Sequence, residues 1–144
     1  MTEIDAGLVR RKLATIVRTL DDLGTVEALS LEEYRRDRLR QKGAERLLQE
    51  TVEAAVDVNL HLLRAGGHAA ATDYYTSFTE AGRHELIPSS LANELAPAAG
   101  LRNRLVHEYD QIDDAIILAA IPEARRLFAA YVAAVEQHLA NQGF

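Results

Sequence analysis

Apolar residues recur along most of this chain at the three- and four-residue spacing that places them on one face of an α-helix. The clearest segment runs from Ala44 to Ala65, and its predicted buried stripe consists of Leu48, Val52, Ala55, Val56 and Leu63. No stretch alternates polar and apolar residues for long enough to predict a strand. The pattern therefore indicates an all-α protein.

Capping residues and glycines divide the first half of the chain into helices. The first helix is predicted from about Asp5 to Leu23, with inner residues Leu8, Leu13, Ile16, Val17 and Leu20. A capping box, Ser30 with Glu33, begins a second helix that reaches about Lys42. Gly43 is expected to break or kink the chain, and Gly66-Gly67 ends the long periodic segment.

Prolines divide the second half. A shorter helix follows Thr72, and Pro88 restarts the chain after it. Pro97 and Pro122 each suit the first turn of a helix, where a missing N–H costs no bond. The last helix is predicted to reach about His138, with inner residues Leu127, Tyr131, Ala134, Val135 and Leu139. We predict one domain over residues 1–144, a compact bundle of four to five main helices.

Composition narrows the function. The absence of cysteine excludes disulfides, thiolate catalysis and Cys-based zinc sites. The first residues carry acids and lack an apolar signal-peptide core, and no apolar run reaches membrane-spanning length, so we expect a cytoplasmic protein without a membrane partner. A net charge of −6 argues against a general nucleic-acid binder. It leaves room for a local basic cleft, because charges are screened over about 8 Å.

The segment LRNRLVHEYD, residues 101–110, concentrates the chemistry. Arg102 can bind and neutralise a phosphate, and His107 can move a proton near neutral pH. On a helix these two residues lie about 140° apart, whereas Asn103 shares a face with His107. A working site therefore requires the arginine to reach across the helix end, or a second copy of the motif. We favour a homodimer in which two motifs line one cleft.

In that cleft the residues suit metal-independent cleavage of RNA, whose own 2′-OH is the nucleophile. His107 would act as general base or acid, Arg102 would stabilise charge on the phosphorane, and Asn103 would orient the histidine or the phosphate. Tyr109 would line the same pocket. The alternative is a solvated helix face, with His107 favoured at the helix C-terminus by the dipole. Spacing alone does not decide between them.

The segment resembles the HEPN family, and specifically its HepT-like toxins, which pair with minimal nucleotidyltransferases (MNT) in toxin–antitoxin systems. The family pattern is unbroken in Arg102, Asn103, His107 and Tyr109. The likeness extends upstream to LAPAAGLRN and to ERLLQETVEAAVDVNLHLL, and it covers roughly residues 45–121. One departure is Leu60, where the family often has asparagine.

This resemblance implies a homodimeric endoribonuclease, the toxin of a type VII-like pair, that needs no metal or cofactor and acts on RNA, with no DNA partner. It implies that Arg102 and His107 are catalytic. It also implies that a nucleotidyltransferase antitoxin inactivates the toxin by placing AMP on Tyr109, because added phosphates would repel RNA. The rival function is a catalytically inactive helical module that docks a nucleotidyltransferase.

Other polar residues are given lesser roles. Five polar residues follow one another at four-residue spacing and form a ladder along the predicted helix: Glu45, Gln49, Glu53, Asp57 and His61. Successive members of this ladder are offset by about 40° around the helix axis, so the five side chains cannot all face one cleft. Asp57 and His61 are expected to approach the motif helix, without binding metal. His68 and His84 are expected on the surface, and the aromatic group Tyr74, Tyr75 and Phe78 is expected to fill core or interface space.

Overall fold

The computed structural model describes residues 3–144, and α-helices form nearly all of this range. The helices are α1 (Ala6–Glu27), α2 (Leu31–Arg36), α3 (Arg38–Ala65), α4 (Tyr74–Arg83), α5 (Ser89–Leu95), α6 (Pro97–His107) and α7 (Asp114–Asn141). A 3₁₀ turn, Tyr109–Gln111, joins α6 to α7, and residues 3–144 contain no strand. Two of the helices, α2 and α5, are shorter than ten residues, which leaves five main ones and confirms the predicted all-α bundle.

The long helices α1, α3 and α7 pack around one apolar core, while α4 and α6 pack on α3 and α5 joins α4 to α7. The predicted stripe of α3 is buried along its whole length, because its apolar spacing matches the helical repeat. In the centre, Phe78 of α4 meets Phe128 and Tyr131 of α7 edge to face, with ring centroids 6.2–6.4 Å apart. Such contacts add to the gain from burying the rings.

A buried polar cluster links three helices within this core. The Tyr131 hydroxyl lies 2.5 Å from Oδ1 of Asn59 and 3.0 Å from the carbonyl oxygen of Ala55, both on α3. Asn59 in turn donates through Nδ2 to Oγ of Ser77 on α4, at 3.3 Å. Burial raises the pKa of the Tyr131 phenol, which therefore stays protonated and can donate. The cluster fixes the register of α3 against α4 and α7.

The break before α3 lies at Asp37, so the expected break or kink at Gly43 is wrong. Asp37 caps the helix by accepting a hydrogen bond from the backbone N–H of Arg40 at 3.1 Å. Gly43 lies inside α3, where a Cβ would meet nothing within 4 Å. A single glycine there costs about 1 kcal/mol of helix propensity. The packing of a 28-residue helix outweighs that cost.

The predicted start of the last helix at Pro122 is also wrong, because α7 (Asp114–Asn141) already includes this proline in its interior. The N-cap of this helix is Asp113. Its side chain accepts a hydrogen bond from the backbone N–H of Ala115. Pro122 removes one helical hydrogen bond. Ile117 and Ile121 are fully buried just before it, and this packing keeps the helix continuous while the proline ring faces solvent.

Three predicted inner residues lie nearer the surface than expected. Val17 is 47% exposed, because Ile16 and Leu20 occupy the inward positions of that turn of α1. Leu8 and Ala134 are half-buried.

None of the helices in residues 3–144 combines the length and apolar character needed to cross a bilayer.

Candidate active site

Helix α6 carries the predicted catalytic residues and is held on the bundle by few side chains. Pro97 occupies its first turn, and only Ala99 and Leu105 of this helix are buried. The last turn ends at His107, where the N–H of Glu108 still bonds to the helix, 2.8 Å from the carbonyl oxygen of Arg104. The short apolar stripe leaves most of the α6 surface for polar contacts.

Arg102 is the best-anchored polar side chain of α6. Its Nε and Nη2 donate to the same oxygen, Oε1 of Glu53 on α3, at 3.1 and 3.0 Å. Only 19% of the Arg102 side chain and 29% of the Glu53 side chain are exposed. An ion pair sheltered to this degree is screened less by salt than a surface pair. It therefore fixes the guanidinium in one orientation.

A second contact comes from α4. The guanidinium carbon of Arg102 lies 4.5 Å from the ring centroid of Tyr74, within the range of a cation–π interaction. Nη1 of Arg102 donates to Oδ1 of the adjacent Asn103 at 3.4 Å. The remaining N–H groups of the guanidinium can bind an anion bidentately. The arrangement is a preoriented cation with donors to spare.

His107 and Tyr109 are presented outward. His107 is the exposed last residue of α6, and Tyr109, the first residue of the 3₁₀ turn, is 66% exposed. Within residues 3–144, neither side chain makes a hydrogen bond or an ion pair. Both are therefore available to a molecule from outside the chain. Asn103 is likewise exposed, one helical turn before His107.

One helix does not by itself bring Arg102 to His107. The two residues are five positions apart on continuous α-helix, which separates them by about 140° around the axis. Arg102 faces α3 and α4, whereas His107 lies at the open end of α6. Of the two alternatives, the one in which the arginine reaches across the helix end is not seen, because Glu53 and Tyr74 hold it on the bundle side.

Glu53 and Tyr74 are the site residues that the sequence analysis missed. Glu53 is part of the polar ladder on α3, and Gln49, one turn earlier, donates to the same Oε1 at 3.0 Å. The signals in the sequence are the four-residue spacing of Gln49 and Glu53 and the family likeness of the segment that contains them. Glu53 and Arg102 are 49 positions apart in the sequence, so no local pattern indicates their contact, and the same holds for Tyr74 and Arg102.

The expectation that Asp57 and His61 approach the motif helix is wrong. Asp57 pairs with Nζ of Lys12 at 2.8 Å, and Nε2 of His61 accepts from the backbone N–H of Asp5 at 2.9 Å. Both partners belong to the N-terminal segment that contains α1. The cause is the drift of the ladder around α3, which carries successive members from the side of α6 to that of α1.

The other histidines gather at the far end of the bundle. His68 and His84, expected on the surface, stack at 3.6 Å between ring centroids and are half-buried. His68, His84 and His138 of α7 line one groove, and burial lowers the pKa of His138. No group of three or more acidic or histidine side chains in the described range, residues 3–144, is arranged to hold a metal ion.

Comparison with known proteins identifies relatives over nearly the whole chain. Residues 12–135 match the family model described as Ribonuclease HepT-like. The chain is 37% identical over 139 residues to the tRNA nuclease HepT of Aphanizomenon flos-aquae, covering 96% of this chain and 95% of that protein. It is 26% identical over 114 residues to the mRNA nuclease HepT of Shewanella oneidensis, covering 79% and 85%.

The fold has a close counterpart among solved structures. The tri-AMPylated Shewanella oneidensis HEPN toxin, in complex with an MNT antitoxin, matches with a TM-score of 0.82 at 24% identity. The match covers 90% of this chain and 97% of that toxin. The family model, the relative at 37% identity and the shared helical fold agree with the resemblance of the α6 motif. This chain belongs to the ribonuclease HepT-like family of HEPN proteins.

Proposed function

We propose that this chain is the toxin of a toxin–antitoxin pair, an endoribonuclease that cuts RNA without a metal. The observation that carries the proposal is the preoriented guanidinium of Arg102 on the same helix as the exposed imidazole of His107. The relatives named as a tRNA nuclease and an mRNA nuclease support it. They also indicate that the RNA class differs between family members.

The chemistry follows from the two side chains. His107, as general base, takes the proton of a ribose 2′-OH while the 2′-oxygen forms a bond to phosphorus. The bond from phosphorus to the 5′-oxygen breaks, and that oxygen receives a proton from a water molecule. Arg102 stabilises the charge on the phosphorane, and Asn103 orients the histidine or the phosphate. The products are a 2′,3′-cyclic phosphate and a 5′-hydroxyl.

A homodimer completes this site. Since α6 holds Arg102 and His107 about 140° apart, the arginine of one motif and the histidine of another can meet where one helix cannot bring them together. A twofold interface places two copies of the same surface opposite each other. Two α6 helices facing each other would form one cleft with two guanidinium and two imidazole groups.

Regulation is proposed at Tyr109. Its exposed phenol can attack the α-phosphorus of ATP in a nucleotidyltransferase antitoxin, losing its proton and releasing pyrophosphate. The similar fold of an AMPylated HEPN toxin in complex with an MNT antitoxin supports this step. Tyr109 stands two residues after His107, so the added phosphate would bring negative charge to the cleft and repel RNA. We place the protein in the cytoplasm, where RNA and ATP are available.

Two observations favour the rival function, a helical module that docks a nucleotidyltransferase without cutting RNA. Glu53 already neutralises Arg102, and the chain carries a net charge of −6. Both features weaken the attraction for RNA.

Induced expression of the wild-type chain, Arg102→Ala and His107→Ala distinguishes the two functions. We expect growth arrest with the wild type alone, and cleavage of total RNA by the purified protein that persists in EDTA. Normal growth with the wild type, together with intact RNA, supports the docking module. Cleavage that EDTA stops and magnesium restores overturns the metal-free mechanism.

A further inference from the structure

A small pocket lies beside the motif, between the end of α6, the 3₁₀ turn and the start of α7. Its volume is about 130 Å³. The apolar part of its lining includes Leu101 and Leu105 of α6 and Ile116 and Ile117 of α7. Four exposed polar side chains line it as well: Arg104, Glu108, Gln111 and Asp113. None of the proposed catalytic steps uses this pocket.

We infer that the pocket is a subsite for the base of a purine nucleotide. The nucleotide would be the adenylyl group attached to Tyr109 or a residue of the RNA bound in the cleft. This inference rests on the proposed function for the identity of these two sources. The pocket itself is defined by its own shape and chemistry.

The volume of the pocket suits the base alone and is too small for the whole nucleotide. Pockets for drug-sized ligands are typically about 300–1,000 Å³. An apolar cavity of about 150 Å³ in a well-studied lysozyme variant binds benzene. A pocket of about 130 Å³ that opens to solvent can therefore hold one flat ring system while ribose and phosphate remain outside. The isoleucine and leucine walls favour an uncharged aromatic ring over a sugar.

Two of these four polar side chains, Gln111 and Arg104, suit a purine edge and a phosphate, while Asp113 is engaged in capping the next helix. The Gln111 amide carries an acceptor oxygen and an NH₂ group with two donor hydrogens. Such an amide accepts a hydrogen bond from N6 of adenine and donates one to N7. Arg104 can bind a phosphate bidentately. Within residues 3–144, neither side chain makes a hydrogen bond or ion pair of its own. Both are therefore ready for a ligand.

Tyr109 lies next in the chain to residues that line the pocket. Glu108 and Gln111, on either side of it, both line the pocket, and the Tyr109 side chain is exposed. A phosphate and a ribose form a flexible tether of several bonds between a tyrosine oxygen and an adenine. An adenine attached at Tyr109 can therefore reach a pocket whose lining includes the residue before Tyr109 and the second residue after it. Docking of the base there would hold the negative phosphate beside the cleft.

Binding of AMP to the full, unmodified chain tests the pocket directly. We expect AMP to shift NMR signals of residues 101–117 and to bind more tightly than CMP. Ile116→Trp, which fills the pocket at an exposed position, should weaken AMP binding by at least about tenfold. Val17→Trp is the matched control, since Val17 is similarly exposed on α1, and it should bind AMP like the wild type.

Gln111→Leu supplies a second variant that keeps the apolar walls. It should reduce the preference for AMP over CMP. Equal AMP affinity in Ile116→Trp and Val17→Trp, or shifts confined to other regions, overturns the inference. The titration requires neither RNA cleavage nor modification of Tyr109. Its failure is therefore distinct from failure of the proposed function.

The adenylylated chain separates the two sources. If the tethered adenine occupies the pocket, the modified chain shows the shifts without free AMP and no longer binds added AMP. If RNA supplies the base, the modified chain binds AMP like the unmodified one. In that case, an oligonucleotide with a 2′-deoxy residue at the cut position shifts the pocket signals only when a purine flanks the cut. If neither the tethered adenine nor the RNA purine shifts the pocket signals, the assignment of the pocket as a base subsite is overturned.

Discussion

Glu53 of α3 and Arg102 of α6 are joined through a single carboxylate oxygen, with Nε and Nη2 of the arginine 3.1 and 3.0 Å from Oε1. The contact leaves one edge of the guanidinium, including Nη1, turned away from the acid. In the proposed site, Glu53 would therefore act as a positioning residue that lowers the attraction of Arg102 for RNA and fixes the direction of its guanidinium. Binding and catalysis should respond to this pair in opposite ways.

Glu53→Gln keeps an oxygen acceptor but removes the negative charge. We expect kcat for RNA cleavage to fall by about tenfold, because Arg102 becomes less well oriented. We expect KM to fall as well, because a net positive charge is uncovered near the cleft. Glu50→Gln is the matched control, since Glu50 pairs with Arg46 elsewhere on α3. An unchanged kcat in Glu53→Gln would remove the positioning role.

Tyr109→Phe removes the proposed acceptor oxygen and little else, because the Tyr109 side chain is exposed. After incubation with the cognate nucleotidyltransferase and ATP, mass spectrometry should show adenylyl groups on the wild-type chain and none on this variant. Tyr75→Phe, a change at another exposed tyrosine, should be modified like the wild type. Adenylyl groups that persist on Tyr109→Phe identify another acceptor.

His138 predicts how stability depends on pH. Burial lowers its pKa from about 6.5, so the folded chain favours the neutral imidazole. The unfolded chain then binds the proton more tightly, and stability falls as pH falls from about 6.5 through the lowered pKa. The melting temperature of the wild type should therefore drop more steeply on acidification than that of His138→Gln. Measurements at pH 8 set the baseline, and equal slopes contradict the prediction.

Tyr131→Phe tests the buried cluster between α3, α4 and α7. The variant leaves Oδ1 of Asn59 without its 2.5 Å partner in the core. An unsatisfied buried acceptor costs about 1–3 kcal/mol, so the free energy of unfolding should fall by that amount. Urea denaturation should show a lower midpoint with an unchanged slope. A midpoint equal to that of the wild type means that another group, such as water, satisfies Asn59.

The sequence predicted best where burial repeats at the helical period. The stripe from Leu48 to Leu63 was predicted correctly because every member faces one core. Gly43 and Pro122 lie inside helices, contrary to prediction, because tertiary packing overrides the local helix-breaking tendency of glycine and proline. The roles of Arg102, Asn103, His107 and Tyr109 stay predictions.

The contacts that hold the guanidinium of Arg102 cannot be predicted from the sequence, for a different reason. Glu53 and Tyr74 come from two other helices, and no local pattern encodes where those helices pack on α6. Only the fold places a carboxylate and an aromatic ring beside Arg102. The sequence indicates Glu53 as part of a ladder and Arg102 as part of a motif, but it does not indicate that the two pair.

The two buried side chains of α6, Ala99 and Leu105, have a consequence for how such a protein can change over time. A helix that contributes so little to the core can exchange most of its outward residues at small thermodynamic cost. Selection on RNA preference or on the fit to a particular antitoxin can then act on this helix alone. New specificities could arise while the remaining helices keep their packing.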